Sequence, residues 1–509
     1  MSEPKHITQS TAQAGWPSEA AGVGGEVGGV HSSDEMSWLD LWALSPETRL
    51  WLKTVRRDAA CPHARQRSEG AVDGSQEITT PQKLRKLQRA LYRKAKAQPK
   101  YRFWSLYSEL TRRDLLEHAF GLVVRNGGAP GVDGQTIGSI TATPQTRDRW
   151  LTQLQTELKN KTYRPSPVRR VFIPKSNGGL RALGIPAVKD RMVQMLALLV
   201  LAPIFEADFH PHSYGFRPQR NAHQALEAIA QGLLRGKLEV VDADLSKYFD
   251  TIPHERLMKL VARRTSDGSV LALIRQWLDG PVVEEDKDGT RRVLPNKQGV
   301  PQGGVISPLL ANLYLNALDW AVNEPQQRGQ PVLVRYADDL VILCTPGQGA
   351  GLLERLRRWL AARGLKLNEE KSRLAKSQDG LAFLGFEVRW QKSRRSGRWY
   401  SHIEPSRKSQ QRLRQAVREH INHWTQHRRI DETITGLNRL LRGWSGYFHF
   451  GSSSRVFGKL DWWLCERLRR WLWRKHGRSK ALWKDYPTEL LRERYGLWPL
   501  PLRAAWKRR

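Results

Sequence analysis

Asp338 and Asp339 lie side by side in Tyr336-Ala337-Asp338-Asp339, between the apolar, β-branched runs Pro331-Val-Leu-Val-Arg-Tyr336 and Leu340-Val-Ile-Leu-Cys344. Two such runs around a short break predict a β-hairpin with the acids at its tip. Adjacent like charges repel, and burial nearby makes both harder to ionise. A divalent cation relieves the repulsion, and Mg²⁺ accepts carboxylate oxygens, water and substrate phosphates. Asp is also a common turn residue, so the tetrapeptide by itself reads equally well as an acidic solvated turn.

A second cluster breaks that tie. Glu239-Val-Val-Asp-Ala-Asp244-Leu-Ser-Lys-Tyr-Phe249-Asp opens as an apolar strand carrying acids and passes through an aromatic turn to a helix from His254. Asp244 ends its strand, so its carboxylate can join the hairpin tip. Three acids holding two Mg²⁺ ions against an attacking oxygen, a phosphate and a leaving group is the chemistry of polymerases and nucleases. Phosphoryl transfer asks a protein mainly for positioning and charge neutralisation. Phe249, five residues beyond Asp244, suits a place beneath the sugar, where it would clash with a 2′-hydroxyl; the plainer reading is a core aromatic.

The elements that must hold these residues are legible in outline. Asn177-Gly-Gly179 is a hairpin signal, with Lys175 and Arg181 at the ends of its strands, a geometry suited to clamping phosphates. Ser307-Pro308 predicts a helix start with Ser as the cap. Leu352, Leu353, Leu356 and Leu360 recur at helical spacing before Gly364, and a basic helix over 82–96 carries Leu84, Leu87 and Leu91 on one face. Strands and helices alternate to about Trp390, which implies an α/β region. From Ser406 the chain reads as helical and basic, with breaks near Arg428 and Gly451. Residues 1–80 read as a weakly structured extension, rich in Gly and Ser, with a short Trp-containing helix over Met36–Val55.

Composition points to a polyanionic partner. The 509 residues carry 84 Lys plus Arg against 50 Asp plus Glu, a net charge of +34, more than solubility needs. Twenty tryptophans are present, several interleaved with arginine in Asp461–Lys475. There Leu464, Leu468 and Trp471 face a core in the expected amphipathic helix. Arg467, Arg470, Arg474 and Lys475 form a basic face for RNA. Three cysteines without close pairing argue against a zinc ribbon or disulfide framework and suit a reducing cytosol. The longest apolar run, Met195 to Phe205, is too short to span a bilayer, and the N-terminus has no apolar signal core.

Taken in order, these blocks resemble the bacterial group II intron-encoded reverse transcriptase/maturase family. The similarity runs from about Gln82 to about Trp473. Asn126–Gly134 resembles the family's N-terminal template-contacting loop, Arg169–Pro186 its fingers hairpin, and His212–Pro218 its next fingers block. Gln298–Leu310 resembles the family's primer-grip-side loop and helix, Gly364–Lys371 and Phe383–Phe386 the blocks that close the palm, and Leu437–Phe448 the maturase-specific thumb.

The resemblance implies an α/β right-hand polymerase fold, fingers and palm over 81–392, then an all-α thumb/maturase domain over 393–480. A basic tail over 481–509 would follow, without the endonuclease domain that many members carry. It implies an RNA-directed DNA polymerase with two Mg²⁺ held by Asp244, Asp338, Asp339 and the backbone of Leu245. Lys175, Arg181, Phe249 and Gln302 would bind the incoming dNTP, and Lys371 would give a proton to leaving pyrophosphate. Implied partners are group II intron RNA, an RNA template–DNA primer, dNTPs and target DNA, in a bacterial cytoplasm at the nucleoid, with a homodimer left open. One alternative is a repurposed defence or retron-like reverse transcriptase, against which the thumb block and the missing Val-Thr-Gly motif argue. Another is an RNA-binding splicing factor without polymerase activity, against which the three retained acids argue.

Overall fold

The computed structural model describes residues 80–503, apart from 175–178, 286–287, 324–328 and 477–481. The expected N-terminal extension, its 36–55 helix and Lys175 therefore lie outside the described residues. The chain forms two compact units that cut across its order. One takes residues up to Arg220, then Lys247–Gln327 and Arg363–Leu365; the other takes Asn221–Ser246, Arg328–Ala362 and Lys366–Arg509. The boundary expected at residue 392 is thus not a boundary of compactness, because the acid-bearing strands pack in the same unit as the C-terminal helices.

The first unit is helical around a four-stranded sheet of β1 (Val168–Pro174), β2 (Leu180–Ile185), β4 (Val282–Glu285) and β5 (Arg291–Leu294), in the order β2-β1-β4-β5. Strands β1 and β2 make the expected antiparallel hairpin, with Ile173 opposite Arg181, and β1 pairs in parallel with β4. The helix Val188–Glu206 has apolar residues on all sides and is buried along almost its whole length, as a helix at the centre of a unit must be. The basic helix Gln82–Ala97 buries Leu84, Gln88, Leu91 and Ala95, so Leu84 and Leu91 face the core as the leucine spacing predicts, while Leu87 is only partly buried and Gln88 takes a core position.

The second unit is built on a sheet of β3 (Glu239–Asp244), β6 (Val332–Tyr336), β7 (Asp339–Cys344) and β8 (Arg373–Lys376), in the order β6-β7-β3-β8. All its pairings are antiparallel. Val240, Val241, Val341, Ile342 and Leu343 are buried and form the apolar centre of the sheet, with Asp242 and Arg335 the charged residues inside its strands β3 and β6. The helix Ala222–Leu234 starts at a capping box on Asn221 and presses Gly232 onto β7, where a Cβ would come within 2.4 Å of Leu343 Cδ1. A separate sheet of β9 (Leu381–Phe383), β10 (Phe386–Lys392) and β11 (Trp399–Pro405) leads into the helices.

Those helices are Arg407–His420, Ile430–Phe448 and Ser454–His476, with breaks at the two places the sequence marks. Gly451 sits at φ +63°, where a Cβ would meet the Ile403 carbonyl oxygen at 2.6 Å. Their shared core contains Leu413, Val417, Leu437, Leu441, Phe457, Leu464, Leu468 and Trp471. Trp444 is half-buried on that core, and the Tyr447 hydroxyl donates to the Leu384 carbonyl at 2.9 Å.

Of the stretch read as a tail over 481–509, the described residues 482–503 are in part helical and packed. Residues 482–485 and 488–493 are helical, and Tyr486, Leu491, Leu497 and Leu500 are buried in the same core. Four such side chains contribute roughly 1.5–3 kcal/mol each. The nearly inaccessible Arg469 fixes the segment by donating to the Tyr486 carbonyl at 2.7 Å and to Thr488 Oγ1 at 2.6 Å. Arg492 pairs with both oxygens of Asp461.

Candidate carboxylate site and nucleic-acid face

The hairpin tip is where the sequence predicts it. Tyr336 stands opposite Asp339 across a two-residue loop of Ala337 and Asp338. Ala337 adopts φ +57°, a left-handed conformation that costs a residue with a Cβ about 1–3 kcal/mol. The guanidinium of Arg335, completely buried, donates to the Ala337 carbonyl at 2.9 Å and so fixes the strained turn from beneath. Sequence reasoning missed Arg335. Its signal was an arginine in an otherwise apolar strand, one residue before the acidic tetrapeptide.

Strand pairing brings the third acid alongside. Asp244 is the last residue of β3 and lies directly opposite Asp339, the first of β7. The end of β3 is held at three points. The Asp244 carbonyl accepts from Asn368 N–H at 2.8 Å, the Asp244 N–H donates to Ser372 Oγ at 3.2 Å, and the Ser246 N–H donates to the Lys366 carbonyl at 2.9 Å. Leu245, the expected backbone ligand, forms an isolated bridge with Leu367. The Lys371 ammonium lies 2.9 Å from Asp244 Oδ2. Asp242, on the same face of β3 as Asp244 and not among the expected site residues, pairs with Arg373 at 3.2 Å.

The Asp339 carboxyl is pushed up to about 7, by desolvation first and then by the charges of Asp338, Asp244 and Asp242, against which Lys371 acts. Its outer edge is open to solvent, so the repulsion among carboxylates is the firmer of the two causes. Among the described residues no three His, Cys, Asp or Glu side chains are already gathered as a cage for an ion. The donors nonetheless suit Mg²⁺: all are oxygens, their negative charges repel one another, and a lysine ammonium sits on Asp244 where a cation is wanted.

The nucleotide-side candidates of the other unit share one frame. Arg181 is exposed on β2, and three residues on, the Gly184 N–H donates to the Gln302 carbonyl at 2.6 Å. Gly303, at φ +123°, allows that approach, since a Cβ there would stand 2.1 Å from the Gly184 oxygen. From the same loop, Val300 N–H donates to the Phe249 carbonyl at 2.6 Å and Gly299 N–H to the Ile252 carbonyl at 2.8 Å. Phe249 is half-buried, with its ring in T-shaped contact with Tyr248 at 5.5 Å. Ser307 departs from its expected role: its hydroxyl donates to the Pro301 carbonyl at 2.8 Å, bracing the loop from the first turn of the helix Ser307–Asn323.

The basic face of Ser454–His476 is divided. Arg470 and Arg474 are exposed. Arg467 donates to the Ile421 carbonyl at 3.3 Å, and its guanidinium is held below the ordinary arginine range by partial burial and by the charges of Arg418, Arg474 and Arg470. Lys475 is spent internally, donating to the carbonyls of Gln426 and Arg428. Among the described residues no helix is long and apolar enough to cross a membrane.

A palm-like sheet with acids paired at its strand ends, followed by a basic helical bundle, defines a nucleic-acid polymerase of the reverse transcriptase class. Residues 173–388 match the family described as reverse transcriptase (RNA-dependent DNA polymerase), and residues 410–487 match the group II intron, maturase-specific domain. The chain belongs to the group II intron reverse transcriptase/maturase family.

Protein YkfC of Escherichia coli (strain K12) is 37% identical over 350 residues, 61% of this chain and 90% of YkfC. Group II intron-encoded protein LtrA of Lactococcus lactis subsp. cremoris is 34% identical over 220 residues, 43% of this chain and 35% of LtrA. Nuclear intron maturase 2, mitochondrial, of Arabidopsis thaliana is 30% identical over 166 residues, 26% of this chain and 22% of that protein. The chain thus matches most of the first relative's length but about a third or less of the other two.

Proposed function

We propose that the chain copies group II intron RNA into cDNA and, through its helical C-terminal region, assists splicing and mobility of that intron. Its partners would be intron RNA, an RNA template–DNA primer, dNTPs and target DNA, in a bacterial cytoplasm at the nucleoid. The observation that carries the polymerase reading is the register of Asp244 against Asp339 at a hairpin tip that Arg335 holds in a strained turn. A solvated acidic turn has no use for that strain or for a buried guanidinium beneath it.

Asp244, Asp338, Asp339 and the backbone of Leu245 would hold two Mg²⁺ ions, which when bound supply charge neutralisation to the attacking oxygen and the phosphate. Lys371, paired with Asp244 in this structure, would give a proton to leaving pyrophosphate. Arg181, with Lys175, would neutralise the triphosphate. Gln302 would lie beside the base and sugar, and the half-buried Phe249 ring would exclude a 2′-hydroxyl. Arg467, Arg470 and Arg474 would meet RNA phosphates, and Lys475 would hold the turn beside them.

Two assays test the reading. Purified protein should extend a DNA primer on an RNA template only with Mg²⁺ and dNTPs. It should also speed excision of its cognate intron at low Mg²⁺. Absence of primer extension on every RNA template tried would refute the polymerase assignment.

A further inference from the structure

The link between the helices Arg407–His420 and Ile430–Phe448 combines a fixed backbone with an unburied aromatic. Asn422 caps a single 3₁₀ turn: its Oδ1 accepts from Trp424 N–H at 2.8 Å, and its own N–H donates to Thr425 Oγ1 at 3.0 Å. Three side chains from Ser454–His476 brace the same turn. Arg467 donates to the Ile421 carbonyl, Trp471 Nε1 to Thr425 Oγ1 at 3.2 Å, and Lys475 to the carbonyls of Gln426 and Arg428. A link held at so many points has little freedom of its own, yet Trp424 at its crest is 76% exposed, above every other large apolar side chain among the described residues. The His423 ring lies 4.3 Å from it, tilted by 41°.

The surroundings are cationic. Directly after the turn an open cleft of about 560 Å³ is lined by His427, Arg428, Arg429, Lys475 and Arg494 together with Tyr495 and Asp431. Arg429 is paired with Asp431, which leaves a marked positive excess. A solvent-facing indole on a braced turn beside a cationic cleft is poorly suited to an apolar protein surface. It suits an aromatic base linked to phosphates: every base offers a π-face, and its backbone offers the anion.

We propose that Trp424, with His423, is a stacking platform for an unpaired RNA base whose flanking phosphates lie in the Arg428–Arg494 cleft. The proposal rests on the reading of the C-terminal helices as an RNA-binding region and adds a specific preference, for single-stranded over duplex segments. Base-paired RNA keeps its bases stacked internally and gives Trp424 nothing to cover.

The test uses the full chain and two RNA probes of equal phosphate number, one single-stranded and carrying 2-aminopurine, the other a duplex. Because Trp424 is exposed, Trp424→Ala leaves the core intact. It is expected to weaken single-strand binding by between about fivefold and about a hundredfold, the range of one lost base–aromatic stack. It should abolish the 2-aminopurine quench and leave both duplex affinity and the salt slope as they were. Trp424→Phe should restore most of the loss. Arg428→Glu with Arg494→Glu should lower the salt slope for both probes.

Equal weakening of both probes by Trp424→Ala, or no change in either, overturns the platform, as would a changed oligomeric state with RNA affinity intact, which would make the indole a protein contact. If Arg470→Glu and Arg474→Glu weaken binding while Trp424→Ala does not, the platform falls and the RNA-binding region stands. If none of these changes matters, the underlying reading fails as well.

Discussion

Lys371 is the candidate whose two chemical roles can be separated by one experiment. Its ammonium lies 2.9 Å from Asp244 Oδ2, with the lysine side chain 60% exposed and the aspartate 26%. An ion pair this open to water contributes roughly 0.2–1 kcal/mol. Lys371→Met removes a counter-ion that competes with metal for Asp244. The Mg²⁺ concentration giving half-maximal primer extension should therefore fall, by at most about fivefold for 1 kcal/mol. If the same lysine also protonates leaving pyrophosphate, the rate of single-nucleotide incorporation at saturating Mg²⁺ should drop by at least about 10²-fold, the lower end of what a positioned general acid supplies. Lys371→Arg separates the two effects. It keeps the charge, so Mg²⁺ dependence stays near wild type, but arginine does not give up its proton and the rate stays low. The assay is rapid-quench incorporation of one dNTP across a Mg²⁺ titration. A Lys371→Met enzyme with an undiminished rate would remove the proton-donor role, and one needing more Mg²⁺ than wild type would show that the lysine does not compete for Asp244.

Asp338→Ala or Asp244→Ala should abolish Mg²⁺-dependent primer extension and leave RNA affinity in filter binding nearly unchanged; near-normal extension by either variant would refute the metal assignment. Phe249→Ala or Phe249→Val should admit ribonucleotides, read as a fall in the ratio of dNTP to NTP incorporation, whereas an unchanged ratio would make Phe249 a packing residue. Arg470→Glu and Arg474→Glu should weaken intron RNA binding and reduce the slope of log affinity against log salt by about one per lost phosphate contact. Leu491→Ala should destabilise the C-terminal helices by about 2–5 kcal/mol, seen as an earlier unfolding transition on heating; no shift would mean that the helix Thr488–Glu493 is not part of the core.

How far the sequence could be read depended on what holds each element. The strands around Asp244 and Asp339 were legible because β7 is apolar from Leu340 to Cys344 and β3 buries Val240, Val241 and Ala243 on either side of Asp242. The helices at 82–97 and 349–361 were legible from leucine spacing, and Leu84, Leu91, Leu352, Leu356 and Leu360 are all buried. The assignment of basic residues on Ser454–His476 was readable only in part. Helical spacing places Arg467, Arg470, Arg474 and Lys475 on one broad face, but it does not tell that carbonyls of the 421–428 link lie within reach of two of them. Ser307 shows the same limit at a helix start, because a hydroxyl that looks like a cap found the Pro301 carbonyl instead.

Two arginines mark the boundary most sharply. Arg335 and Arg469 are among the largest fully buried side chains, and neither fits the hydrophobic pattern of its element. A buried guanidinium is tolerated only where its donors are satisfied, so each records a backbone that had to be held in place. For Arg469 that backbone is the Tyr486 carbonyl, with the Thr488 hydroxyl a second acceptor, which fits a stretch that reads as a basic tail yet is packed as core. For Arg335 it is Ala337, kept in a left-handed turn that alanine disfavours, and the turn is what sets Asp338 at the tip and Asp339 opposite Asp244. Removing the arginine should therefore loosen the geometry of the acids before it loosens the sheet, whose apolar centre does not depend on it.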